Sequence, residues 1–120
     1  MPENPSLTGL ELAQRCVQAA QDKKALDPII LDLQAISSVC DYMVICSAQS
    51  EPQIKAIVSG IEKTIKDEAA RHALAVDGFP TSQWVVIDYG DVMVHIFHDE
   101  KRGVYALEDL WSDAPQIPVL

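Results

Sequence analysis

At 120 residues, 48% of them hydrophobic, the chain suits one domain with a single core and is too varied and apolar to be disordered over most of its length. Eighteen acidic residues against nine basic ones give a formal charge of −9, which repels phosphate backbones, excludes extended direct nucleic-acid contact and favours basic protein partners. Cys16, Cys40 and Cys46 are odd in number and lack Cys-x-x-Cys spacing, so they read as small buried thiols in a reducing cytoplasm rather than a disulfide or zinc site.

Residues 1–7, with Pro2 and Pro5, read as a flexible lead-in. No basic region followed by an apolar run marks a signal peptide, and no segment approaches a membrane span. Thr8 and Glu11 have capping-box spacing, and Leu10, Ala13, Val17 and Ala20 recur at helical intervals, predicting a helix over 8–23. Polar residues 21–24 lead to Pro28, which closes the connection. Ile29–Leu33 and Tyr42–Ser47 read as strands, with Ser37–Asp41 a turn-like linker between them.

Ser50 and Gln53 repeat the capping-box spacing, with Pro52 in the first turn, where a missing N–H is tolerated. Ile54, Ile57, Val58, Ile61, Ile65 and Ala69 then share one face, while Lys55, Glu62, Lys63, Lys66 and Asp67 decorate the other. This predicts the longest helix, over 51–72. Leu74–Val76 reads as a short strand and Asp77–Pro80 as a turn. After residue 98, Asp99–Gly103 reads as a charged corner and Tyr105, Leu107, Leu110 and Trp111 as a short closing helix, with Trp111 a core plug. Pro115 and Pro118 make 113–120 an extended tail. The expected architecture is one α/β domain over 8–112, a mixed five-stranded sheet with helices mainly on one face.

The most informative stretch is Trp84–His98, two β-branched-rich strands joined by Gly90-Asp91, a glycine-first hairpin turn. With that turn Tyr89 faces Val92, Ile87 faces Val94 and Val85 faces Ile96, so one face is wholly apolar. The other pairs Asp88 with Met93, Val86 with His95 and Trp84 with Phe97, mixing apolar groups with an acid and an imidazole. The first face suits a core and the second a docking surface. Trp84 itself fits either packing or an interface anchor.

Chemistry is harder to place. His95 and His98 lie three apart in a strand and point to opposite faces, which disfavours a shared metal ion. His95 near Asp88 reads as a paired polar spot. Asp32, Asp41, Asp88 and Asp91 contain no Asp-x-Asp pair and read as turn formers plus one acid on the interaction face. Ser47-Ala-Gln-Ser50 lacks the glycines of a nucleophile elbow or phosphate loop, and Cys46 has no basic neighbour. No enzyme emerges from these residues.

Asp41-Tyr-Met-Val-Ile-Cys-Ser47, Trp84-Val-Val-Ile-Asp-Tyr-Gly-Asp-Val92 with Val94-His95, and Tyr105-Ala-Leu-Glu-Asp-Leu-Trp111 together resemble the ribosomal silencing factor, or Iojap-like, family over about residues 8–112. Gly103 departs from the bulkier residue common there. The resemblance implies a nucleotidyltransferase-like fold without the Gly-Ser and paired-aspartate motif of the active enzymes, and no catalysis or cofactor. It also implies a cytoplasmic translation repressor that binds the large ribosomal subunit through ribosomal protein fourteen and sterically blocks small-subunit joining, with little direct nucleic-acid contact and no membrane. Under this reading the partner-binding residues are Trp84, Val86, Asp88, Met93, His95 and Phe97, with Tyr89 and Asp91 at the turn. A nucleotidyltransferase-like enzyme or nucleotide-binding protein is the alternative, and a homodimer through the exposed face is a third state to test.

Overall fold

Two neighbouring parallel strands organise the sheet, and everything else in it is antiparallel. The computed structural model describes residues 8–78 and 83–120; the lead-in of residues 1–7 and part of the turn read over Asp77–Pro80 lie outside the described residues. The elements are α1 (Gly9–Asp22), β1 (Leu26–Asp32), β2 (Tyr42–Ala48), α2 (Glu51–Ala69), β3 (Ala75–Asp77), β4 (Trp84–Asp88), β5 (Val92–His98), α3 (Asp99–Tyr105), α4 (Leu107–Leu110) and β6 (Gln116–Ile117). They form a sheet of order β3-β4-β5-β2-β1-β6 in which β2 and β5 run parallel. A parallel pair needs a crossover, and α2 together with the β3–β4 return supplies it.

Both long helices start where side-chain chemistry satisfies their free N–H groups. Thr8 accepts from the Glu11 N–H while the Glu11 carboxylate accepts from the Thr8 N–H, a complete capping box. At α2 the Ser50 hydroxyl accepts from the Gln53 N–H at 3.2 Å, but the expected reciprocal bond is displaced. Gln53 instead accepts from the Gln49 N–H and donates to the carbonyls of Lys23 and Lys24, tying the start of α2 to the end of α1. The same helix stops at Ala69, short of the expected 72, because Ala70 turns into the left-handed region at φ 54°.

Strand alternation divides the core in two. Val44, Cys46 and Ala48 of β2, Val92, Val94 and Ile96 of β5, and Val85 and Ile87 of β4 pack under Leu12, Val17, Ile54, Ile57, Ile61 and Ile65 of α1 and α2. Each aliphatic side chain fully buried there contributes roughly 1.5–3 kcal/mol. On the opposite face Leu31, Leu33, Cys40, Met43, Ile45 and Phe97 form a second cluster closed by Leu107 of α4, with Trp84, Met93 and Trp111 at its margin.

Three expectations need correction. The charged corner 99–103 is helical: His98 accepts from the Glu100 N–H and caps α3, and Ala106, at φ 48°, separates α3 from α4. These two short helices cover part of the face expected to stand open. The sheet also has a sixth strand, because the extended tail docks on β1. Ile117 and Gln116 pair with Ile30 and Leu31, and the Gln14 amide donates to the Pro118 carbonyl and accepts from the Leu120 N–H. Two residues of backbone pairing between prolines leave no periodic signal in the sequence.

Candidate partner-binding face

The hairpin forms in the expected register, Trp84 opposite Phe97, Val86 opposite His95 and Asp88 opposite Met93. Gly90 takes φ +92°, a conformation a side chain rarely adopts, and the Tyr89 N–H donates to the Val92 carbonyl across the turn. Alternation therefore sends Trp84, Val86, Asp88, Met93, His95 and Phe97 to the face away from α1 and α2.

The structure separates these candidates by depth. Phe97 is 0% and His95 6% exposed, so both lie beneath the surface. Trp84, Val86, Asp88 and Met93 are half-buried and form the more accessible part of the face. Tyr89 does not join them: it is 2% exposed and packs in the core under the long helices. Asp91 points elsewhere too, its carboxylate held by the Arg71 guanidinium at 2.8 Å, while Arg71 also donates to the Tyr89 carbonyl at 2.7 Å. That clamp fastens the hairpin turn to the end of α2.

Tyr105 was missed by the sequence reading and belongs to the strip. Its ring lies 4.7 Å from that of Trp84, and it is 50% exposed on α3. The sequence places Tyr105 in a short closing helix and in a family-like segment, but neither signal says that this helix folds back onto Trp84. Ile36 and Val39 are also exposed, on the loop leading to Cys40, which packs in the same cluster as Met93.

The polar groups of the face pair differently from expectation. His95 is not bonded to Asp88. Its Nδ1 accepts from the Trp84 indole N–H at 3.0 Å, and burial lowers its pKa to about 4, so the ring is neutral with its proton on Nε2. Among the described residues that Nε2 is buried without a hydrogen-bond partner. The Asp88 carboxylate accepts from the Gly90 N–H at 2.7 Å, a turn-forming bond that leaves it half-exposed.

Catalytic alternatives find little support in this geometry. Asp32 and Asp88 sit on β1 and β4, three strand spacings or on the order of 14 Å apart, and alternation turns them to opposite faces. Among the described residues no group of three His, Cys, Asp or Glu side chains could hold a metal ion. Cys46 is fully buried, its thiol pushed up to about 12, and Ser50 serves the helix cap. A cavity of about 650 Å³ lies between α1 and the tail, lined by Leu10, Gln14, Ile117 and Leu120, away from the hairpin face. Among the described residues no helix is long and apolar enough to cross a membrane.

The family model described as "Ribosomal silencing factor during starvation" matches residues 6–120. The chain belongs to this family. The ribosomal silencing factor of Bacillus subtilis is 44% identical over 100 residues, 81% of each chain, and that of Halalkalibacterium halodurans 38% identical over 111 residues, 92% of this chain and 94% of the relative. The chloroplastic Iojap protein of Arabidopsis thaliana is 33% identical over 108 residues, which make up 44% of that longer protein. A crystal structure from Chromobacterium violaceum superposes with a TM-score of 0.84 at 28% identity, covering 93% of this chain and 91% of the other. One from Bacillus halodurans gives 0.79 at 37% identity, covering 91% and 98%.

The chain is thus a non-catalytic ribosomal silencing factor, a regulator of translation with the α/β fold of its solved relatives. The family match extends through the tail, which the sequence resemblance had left out. The matched residues include those of β6.

Proposed function

We propose that this silencing factor acts in the cytoplasm by binding ribosomal protein fourteen of the large subunit through the half-buried strip of Trp84, Val86, Asp88 and Met93 with Tyr105, and that the bound factor sterically prevents small-subunit joining. One observation carries the siting: on this face Trp84, Val86, Asp88 and Met93 keep some exposure while Phe97 and His95 are buried, and the half-exposed Tyr105 of α3 packs against Trp84, so an aromatic pair shares the face with a carboxylate. The choice of partner comes from the family resemblance. The charge of −9 supports a basic partner, because it speeds encounter and disfavours bare RNA. A steric block requires no cofactor and no chemistry, only a footprint.

Sedimentation of purified large subunits with the protein, followed by addition of small subunits, tests the proposal. The expected result is co-sedimentation with the large subunit and a loss of joined ribosomes that tracks occupancy. Joining that proceeds undiminished at saturating factor would overturn the steric mechanism. Failure of isolated ribosomal protein fourteen to bind would overturn the choice of partner.

A further inference from the structure

We propose that His95 is a positioning residue: its Nδ1 lone pair fixes the orientation in which Trp84 is presented on the docking strip, and His95 itself does not meet the partner. The proposal rests on the reading of Trp84 as a docking anchor. Trp84 lies 4.8 Å from the Phe97 ring and 4.7 Å from the Tyr105 ring. Ring stacking holds an indole in a layer, but turning the indole over about its side-chain bond preserves much of that stacking. The second torsion of an aromatic side chain has two broad wells, and stacking alone discriminates poorly between them. The hydrogen bond discriminates, because the indole carries a single N–H and the two wells aim it in different directions. In this structure it meets His95 Nδ1 at 3.0 Å.

His95 is suited to hold rather than to touch. It lies on a central strand, in register with Val86 on one side and Ile45 on the other, and is 6% exposed. An apolar side chain of similar shape would fill that place without burying an Nε2 that has no partner among the described residues. Packing therefore gives no reason for an imidazole here, whereas accepting the Trp84 proton does. Burial keeps the ring neutral, so Nδ1 remains an acceptor. With its N–H directed inward, the indole offers a partner its ring rather than a hydrogen-bond donor.

The test uses the ¹⁵N-labelled full chain and two substitutions. His95→Asn restores a short side-chain acceptor and His95→Phe fills the space without one. In the wild type, a scalar coupling between Trp84 Nε1 and His95 Nδ1 is expected, with the two indole signals assigned through Trp111→Phe. Its absence would overturn the proposal even if neither variant folded. His95→Phe should keep a cooperative melt, shift the Trp84 indole signal and weaken binding to purified large subunits about tenfold. His95→Asn should restore the indole signal and bind within about threefold of wild type. Unchanged binding by a folded His95→Phe overturns the positioning role, as does weak binding by His95→Asn with a native indole signal, which would mean direct contact by the imidazole. Trp84→Phe separates the two layers: undiminished binding there overturns the docking reading itself.

Discussion

Arg71 grips the hairpin turn at two points, Asp91 through its carboxylate at 2.8 Å and Tyr89 through its carbonyl at 2.7 Å. The guanidinium lies 6.0 Å from the Tyr89 ring centroid, and Asp91 draws its pKa further upward. Position 71 directly follows the left-handed Ala70, so the end of α2 and the turn of the docking hairpin are one mechanical unit. Arg71→Ala and Asp91→Ala should each destabilise the fold by about 1 kcal/mol, since the pair is only partly shielded from solvent. A double-mutant cycle in urea should give a coupling of roughly 0.5 kcal/mol or more, and strict additivity would show that the clamp contributes nothing.

Docking is checked by paired measurements on Trp84 and Asp88. Trp84→Ala should weaken ribosome binding by about 2 kcal/mol or more, and it should also lower the melting temperature because the ring stacks on Phe97. Asp88 is the cleaner probe. Asp88→Asn keeps an acceptor for the Gly90 N–H, so a binding loss without a stability loss would report the charge alone. Asp88→Lys should weaken binding further against a basic partner. Variants that remain folded and bind as wild type would remove this strip from the interface.

The charge of −9 predicts an on-rate that falls as salt rises. Screening acts beyond about 8 Å at physiological ionic strength, so steering fades while the apolar contact persists. Stopped-flow mixing with large subunits should show the decline mainly in association, and a flat dependence would mean that net charge plays no part in encounter.

His95 makes stability depend on pH. Its folded pKa of about 4 lies below the ordinary 6.5, so between those values the unfolded chain binds the extra proton. Its contribution is complete above pH 6.5 and is lost as pH falls toward 4, amounting to on the order of 3 kcal/mol across the window. Urea midpoints measured from pH 7 to 4 should fall more steeply for wild type than for His95→Asn. Parallel curves would show that His95 titrates normally.

The hairpin was legible residue by residue because alternation and a glycine-first turn are local rules, and they placed Trp84, Val86, Asp88 and Met93 on one face correctly. The limits of α2 were less legible. Its stop depends on Ala70 taking a conformation associated with glycine, which no local rule assigns to alanine. The depth of each face residue was not legible at all. Phe97 is buried in the cluster that Leu107 of α4 closes, His95 is buried against the Trp84 indole, and Tyr105 reaches Trp84 only through the return of the chain over 99–105. Asp88 and His95 are near neighbours in register, yet each found a different partner, because the indole N–H and the Gly90 N–H are better placed donors.

The last two paired residues of the chain have a protective consequence. Without Gln116 and Ile117, β1 would present bare N–H and C=O groups beside Ile30 and Leu31, an apolar rim on which a further strand could form. The tail works as a selvedge, finishing the sheet beside Ile30 and Leu31. Gln14 acts as the stitch, holding that border from a helix on the far side of the sequence. Gln14→Ala, or a chain ending at Ala114, should therefore show itself first as concentration-dependent association in light scattering, and a monodisperse truncated protein would deny the tail this role.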